Sequence, residues 1–264
     1  MFVAVAWYFG AQALYDVLTN FSTNWYWYVL ATVYAVGLNE VFGHIICAHK
    51  SCDVSPKRWT YKLLVFLFTV DHAWSPVTGL CRLHENHHLY ADQGDKDNLN
   101  WRLHWFSLCS LSPITFIYST PTVYPDYKRF LKKQEELHAE IINDPWTNFC
   151  ENNKVLLTLA YWGVLFLVAP AFLFYVVLMG RFLLSIFMVM AAICGHTKII
   201  FGYRNFDSPD TTHNNLIFHY IALGLMPSML QNNHHGSAKV SIRWFEFDTC
   251  GLLTKLLAPM LRHR

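Results

Sequence analysis

Eight of the fourteen histidines fall in four short clusters that adjoin strongly apolar segments. They are His44 and His49 in H-I-I-C-A-H, His84, His87 and His88 in H-E-N-H-H, His196 in C-G-H-T-K, and His234 and His235 in Q-N-N-H-H. Imidazole is neutral near pH 7 and offers a nitrogen lone pair, which makes it the commonest metal ligand. Eight are too many for one ion and suit two.

Their spacing constrains how they meet. His84, His87 and His88 stand at i, i+3 and i+4 and share one helix face, so His84 and His88 favour one ion and His87 a neighbour. His44 and His49 are about 140° apart round an ideal helix and converge only if the helix ends near His49. The charged and polar Lys50-Ser51 supports such an end. His234 and His235 are adjacent and can face different ions.

The elements that position them are membrane helices. Of the 264 residues 54% are hydrophobic and 14% charged, against about 25% charged in soluble domains. The net charge of +2 and the lack of a basic patch exclude a nucleic-acid binder. Seven cysteines without a C-x-x-C pair indicate reduced or buried thiols, Cys47 being an apolar filler. The apolar start, lacking a basic leader, reads as a first membrane helix rather than a signal peptide.

A bilayer span takes about 20 apolar residues. The sequence predicts four, at about residues 2–18, 26–46, 155–179 and 182–200, the last two joined by a turn at Gly180-Arg181. An interfacial helix over Leu63 to Val70, an apolar stretch beside the membrane over Leu216 to Leu230 and a polar helix over 122–153 complete the reading. Eighteen of the twenty Lys and Arg lie in 47–153 or from 198 onwards, with Arg181 in the opposite loop. Positive charge therefore places the cap (47–153 and 201–264) and all four histidine clusters on the cytoplasmic side. The fold class is an all-α integral membrane protein, one domain over 1–264.

A lone histidine is more often a hydrogen-bonded core or interface residue than a ligand, and His72, His104, His138, His219 and His263 read that way. Four clusters on one side of a membrane favour metal, because a polar group there is costly without a partner. A nitrogen-rich set with few carboxylates suits iron, copper or zinc. The Glu-x-x-His pairs of soluble di-iron bundles are not seen.

The ordered set H-x-x-x-x-H, H-x-x-H-H and N-N-H-H resembles the membrane fatty acid desaturases, in particular the acyl-CoA delta-9 branch and its bacterial relatives. Gly202 to Asn215 (G-Y-R-N-F-D-S-P-D-T-T-H-N-N) and Ser237 to Asp248 (S-A-K-V-S-I-R-W-F-E-F-D) are similar to stretches of that family, and the likeness covers roughly residues 20 to 255. It implies O2-dependent introduction of a double bond into an acyl chain (acyl-CoA, acyl carrier protein or lipid) at two non-haem iron ions. An external donor, cytochrome b5 or ferredoxin, would supply electrons. The implied ligands are His44, His49, His84, His87, His88, His196, His234 and His235. Gln231, where the family carries a ninth histidine, is implied as a carbonyl-oxygen ligand. Arg82, Arg204 and Asn214 are implied to position the substrate or to brace the loops, and Asp95, Asp97 and Asn98 resemble the polar stretch after the second box.

The sequence departs from the family at Gln231, at Ala192 in place of a metal-facing asparagine, at extra residues within Thr197 to Phe201 and at Glu85 in place of arginine. The first three fall around the ion assigned to His87, His196 and His234. The other set, His44, His49, His84, His88 and His235, is the firmer. The altered site leaves a lipid hydroxylase on the same scaffold, or a non-catalytic metal-binding membrane protein, as alternative functions.

Overall fold

The computed structural model describes residues 2–71, 76–93, 96–97, 126–198, 201–208, 210–236 and 249–262. Among these residues the chain is helical with no strand; two isolated bridges tie Asn214 to Tyr203 and to Leu230.

The elements are α1 (Phe2–Thr19), α2 (Phe21–Ala48), α3 (Trp59–Asp71), α4 (Val77–Tyr90), α5 (Tyr127–Leu137), α6 (Ala139–Ile142), α7 (Pro145–Asn152) and α8 (Lys154–Val168). They continue as α9 (Pro170–Cys194), α10 (Leu216–Ile221), α11 (Gln231–Gly236) and α12 (Thr249–Leu261). Among the described residues only α2, with 28 residues, and α9, with 25, are long and apolar enough to cross a bilayer by length and composition. The three helices α1, α2 and α9 pack on one another, while α3, α4 and α12 pack on the end of α2.

Two expected boundaries move. The chain does not turn at Gly180-Arg181, which lie inside α9; it breaks at Ala169-Pro170, with Ala169 at φ −150° and ψ 60°. Proline has no N–H to donate and pushes its predecessor out of the helical region, so it outranks glycine as a breaker. Gly180 instead permits close packing: a Cβ there would stand 2.9 Å from Ala35 Cβ and 3.0 Å from Ala31 O on α2. Arg181 consequently belongs to no loop. It is buried, donates from Nη1 to Val70 O at 2.9 Å and lies over the Trp162 ring. The helix expected to run to residue 200 ends at Cys194.

The polar helix expected over 122–153 is three helices, α5 to α7, for its described part. The second break comes where Asp144 caps α7, accepting from Thr147 N at 2.8 Å, with Pro145 opening the helix. The stretch Leu63 to Val70, expected as an interfacial helix, lies within α3. The stretch from Leu216 forms α10 and a short 3-10 turn, and its Leu225, Met226 and Met229 are fully buried against α9 and α2.

The core beneath the histidines joins Phe42, Ile45 and Ile46 of α2 to Tyr61, Val65 and Phe68 of α3, with Cys81 and Leu261. Gly43 makes this junction possible, because an added Cβ would stand 2.2 Å from Phe68 Cε2. The six described cysteines are buried free thiols, Cys47 packing in this core as a filler.

Candidate metal centre

Residues 37–48 of α2 are wound as a π-helix, and the widened winding runs one residue beyond: His49 N donates to His44 O at 3.0 Å. That i→i+5 bond sets His49 nearly one turn from His44, so the two converge although an α-helix would separate them. Lys50, at φ 47°, then leaves the helix through the left-handed region.

Helix α4 is fixed at its start by Glu151 of α7, whose carboxylate accepts from Thr78 N at 3.0 Å and Thr78 Oγ1 at 2.5 Å. Burial raises the Glu151 pKa, opposed by those hydrogen bonds. Seven residues on from Val77, α4 presents His84, and the expected division of its face holds. His84 and His88 bring their Nε2 atoms to 3.0 Å, while His87 turns to another set.

The eight histidines form two adjoining groups. His44, His49, His84, His88 and His234 make one, and His87, His196 and His235 the other; within each group one ligand atom per residue lies within 4.8 Å of the rest. The groups touch where the His88 and His235 rings stand 4.3 Å apart between centroids. The assignment of the last pair is thus corrected: His234 belongs to the five and His235 to the three. Adjacent residues on a helix point about 100° apart, but which faces which ion depends on how α11 docks. That docking is set by Asn214, which donates to Asn233 Oδ1 at 2.9 Å and accepts from Asn233 N at 3.0 Å.

Nitrogen spacing in the larger group fits a cation. His84 Nε2 stands 2.9 Å from the Nε2 of His44 and of His49, and His234 Nε2 stands 3.1 Å from both of those. A neutral imidazole has a single N–H, so these contacts cannot all be hydrogen bonds. His44 directs its Nδ1 to Glu40 Oε2 at 3.1 Å, leaving the Nε2 lone pair inward. Two ligands about 2.1 Å from one ion and at right angles stand about 3 Å apart, matching these spacings.

The electrostatics agree. Burial lowers the pKa of His49, His84, His88 and His234, and the neighbouring imidazoles lower it further; His235 falls to about 4. These rings are neutral at pH 7 and free to ligate. His87 differs. Burial opposes its charge, but Asp97 at 2.9 Å raises its pKa.

Gln231, the expected ninth ligand, opens α11 one turn before His234 and His235. Its side chain packs where a Cβ on Gly195, beside His196, would stand 2.5 Å from Gln231 Cγ. The Gln231 Oε1 atom is buried and has no hydrogen-bond partner, as is His235 Nε2. An unpartnered buried carbonyl oxygen beside His196 suits a ligand atom.

Other expected residues have internal partners. Arg82 pairs with Glu135 at 3.1 Å, and Arg204 donates to Ser208 O, Ser208 Oγ and Asp210 O within its own loop. Asn214 is fully buried in its clamp on Asn233. Each of these contacts braces structure. His219 is a core histidine, its Nδ1 facing Met226 O at 3.0 Å, and His138 is buried near α6. Asp95, Asn98, His72, His104, His263 and the stretch Ser237 to Asp248 lie outside the described residues.

Sequence reasoning missed Glu40, Asp92, Asp210 and Ser228. Glu40 holds His44 and accepts from Ser228 Oγ at 2.6 Å and Asn39 Nδ2 at 2.7 Å. A carboxylate one turn before a histidine in an apolar run was its signal.

No protein-family model matches the chain, and no curated protein matches it significantly.

Proposed function

We propose that the chain is a membrane oxidoreductase of the fatty acid desaturase type. The observation that carries this reading is the convergence of eight histidines, from four separate segments, into two adjoining nitrogen-lined groups at the end of an apolar helix bundle. Structural zinc sites commonly use four ligands with cysteine among them; here all eight candidates are imidazoles. A nitrogen-ligated ion pair beside membrane helices suits oxidative attack on an unactivated C–H bond. The ordered histidine motifs support the same assignment.

In this reading α2 and α9 cross the membrane, the shorter apolar α1 and α8 are the other two expected membrane helices, and the histidine groups face the cytoplasm with the basic segments. Arg181, buried in α9, no longer counts toward either side, which leaves that assignment resting on the loops alone. His44, His49, His84, His88 and His234 would hold one iron; His87, His196, His235 and Gln231 Oε1 would hold the other. Two irons held there would supply O2-dependent oxidation, with electrons from an external donor such as cytochrome b5 or ferredoxin. The protein's part is positional. The π-turn aims His44 and His49, Glu40 fixes the His44 ring, and the Asn214–Asn233 clamp orients His234 and His235. A saturated acyl chain lying along the apolar helices presents one pair of methylenes to the site.

Expression in a host without the activity, followed by mass spectrometry of its fatty acids, tests the proposal. A new alkene supports it. A hydroxylated acyl chain would favour the hydroxylase reading, for which the substituted position Gln231 is the specific motive. Metal binding with neither product would leave a non-catalytic protein.

A further inference from the structure

The two histidine groups differ in what stands behind them. In the group of three, every ring turns Nδ1 to a carboxylate: His87 to Asp97 at 2.9 Å, His196 to Asp92 at 3.2 Å and His235 to Asp210 at 3.1 Å. In the group of five, the ion pair of this kind among the described residues is His44 with Glu40.

These carboxylates are themselves held. Asp97 is fully buried, and its second oxygen accepts from Asp92 N at 2.9 Å. Asp92 sits at φ 64°, a left-handed conformation that costs energy outside glycine and persists where surrounding bonds enforce it. It accepts from Thr211 Oγ1 at 2.6 Å and Thr211 N at 3.2 Å. Asp210 accepts from Ser208 Oγ at 2.6 Å, Thr212 Oγ1 at 2.5 Å and Thr212 N at 3.1 Å.

One loop therefore ties His87 and His196 together, while Asp210 of a second loop holds His235. Asp97 links His87 to the backbone of Asp92, and Asp92 links that loop to His196 and Thr211. A carboxylate behind a histidine fixes its tautomer, aims its lone pair and raises its basicity as a ligand. It also adds negative charge near a bound cation.

We propose that Asp92, Asp97 and Asp210 are positioning residues that make the three-histidine group a cation site in its own right, offsetting with three carboxylates its shortage of imidazoles. The inference rests on the two-ion reading above. It makes the two sites chemically unequal: one is rich in neutral nitrogen ligands, the other is anion-backed with fewer protein ligands and more open coordination positions.

Cobalt(II) titration of the detergent-solubilised protein, followed by absorption spectroscopy and metal counting, tests this. Wild-type protein should bind two ions with two distinguishable sets of d–d bands. Asp97→Asn and Asp210→Asn should each weaken one ion by about 10–100-fold and move one set of bands, leaving the other intact as an internal control for folding. Glu40→Gln should move the opposite set. Two ions bound with wild-type affinity and bands in both aspartate variants would overturn the inference while leaving the two-ion reading standing. Equal loss of both ions would also overturn it, by showing that the aspartates act through the fold. A wild-type protein that binds fewer than two ions would overturn both.

Discussion

The Nε2 atoms of His44 and His84, forty residues apart in the chain, stand 2.9 Å from one another. His44 Nδ1 faces Glu40, so its Nε2 presents a lone pair, and His84 Nε2 meets the same demand from His49 and His88. Lone pairs crowded in this way repel until a cation lies between them. Metal should therefore stabilise the fold. At a free zinc or iron concentration 100 times the dissociation constant the gain is about 2.7 kcal/mol per site. Thermal unfolding with added ion and after chelation checks this; a melting temperature indifferent to both would contradict it.

Adjacent histidines should have separable effects. His234→Ala removes a ligand from the group of five and His235→Ala one from the group of three. Each variant should retain one ion firmly, and the retained ions should differ in their cobalt spectra. Identical spectra would mean that the pair serves a single site.

Glu40 is 1% exposed and satisfies His44, Ser228 and Asn39 together. Glu40→Ala removes the buried acceptor of His44 Nδ1 and Ser228 Oγ, a loss of about 1–3 kcal/mol for each group stranded. Denaturant unfolding of the metal-free protein measures it. Stability within a few tenths of a kcal/mol of wild type would show that these groups find other partners.

Gly43 carries the packing of α3 against the histidine-bearing turn. Gly43→Ala would drive a methyl group into the Phe68 ring, an overpacking that costs about 1–3 kcal/mol. Phe68→Leu in the same chain should recover part of the loss. An unfolding midpoint unchanged by Gly43→Ala would contradict the close approach.

Much of the site was legible because side-chain chemistry and helical periodicity are local. His84 and His88 divide from His87 as their i, i+3, i+4 spacing requires, and all eight histidines converge. Tyr26 to Ile46 lies within α2. What escaped depends on tertiary contact. The meeting of His44 and His49 needs a π-turn, which composition does not encode. The places of His234 and His235 depend on the clamp between Asn214 and Asn233, nineteen residues apart. Asp92 and Asp210 carry no local signal in the sequence; folding sets them behind His196 and His235. Gly180-Arg181 resembled a turn, but the tight contact with Ala31 and Ala35 keeps that glycine helical while Pro170 breaks the chain.

Desaturation is measured most directly with purified, iron-loaded protein, a reducing donor, O2 and a saturated acyl substrate, followed by mass spectrometry of the acyl chain. A desaturase gives a product lighter by two hydrogens, formed only with O2 and abolished by His84→Ala. Two bound irons and a competent donor with no change in the acyl chain would contradict the desaturase reading.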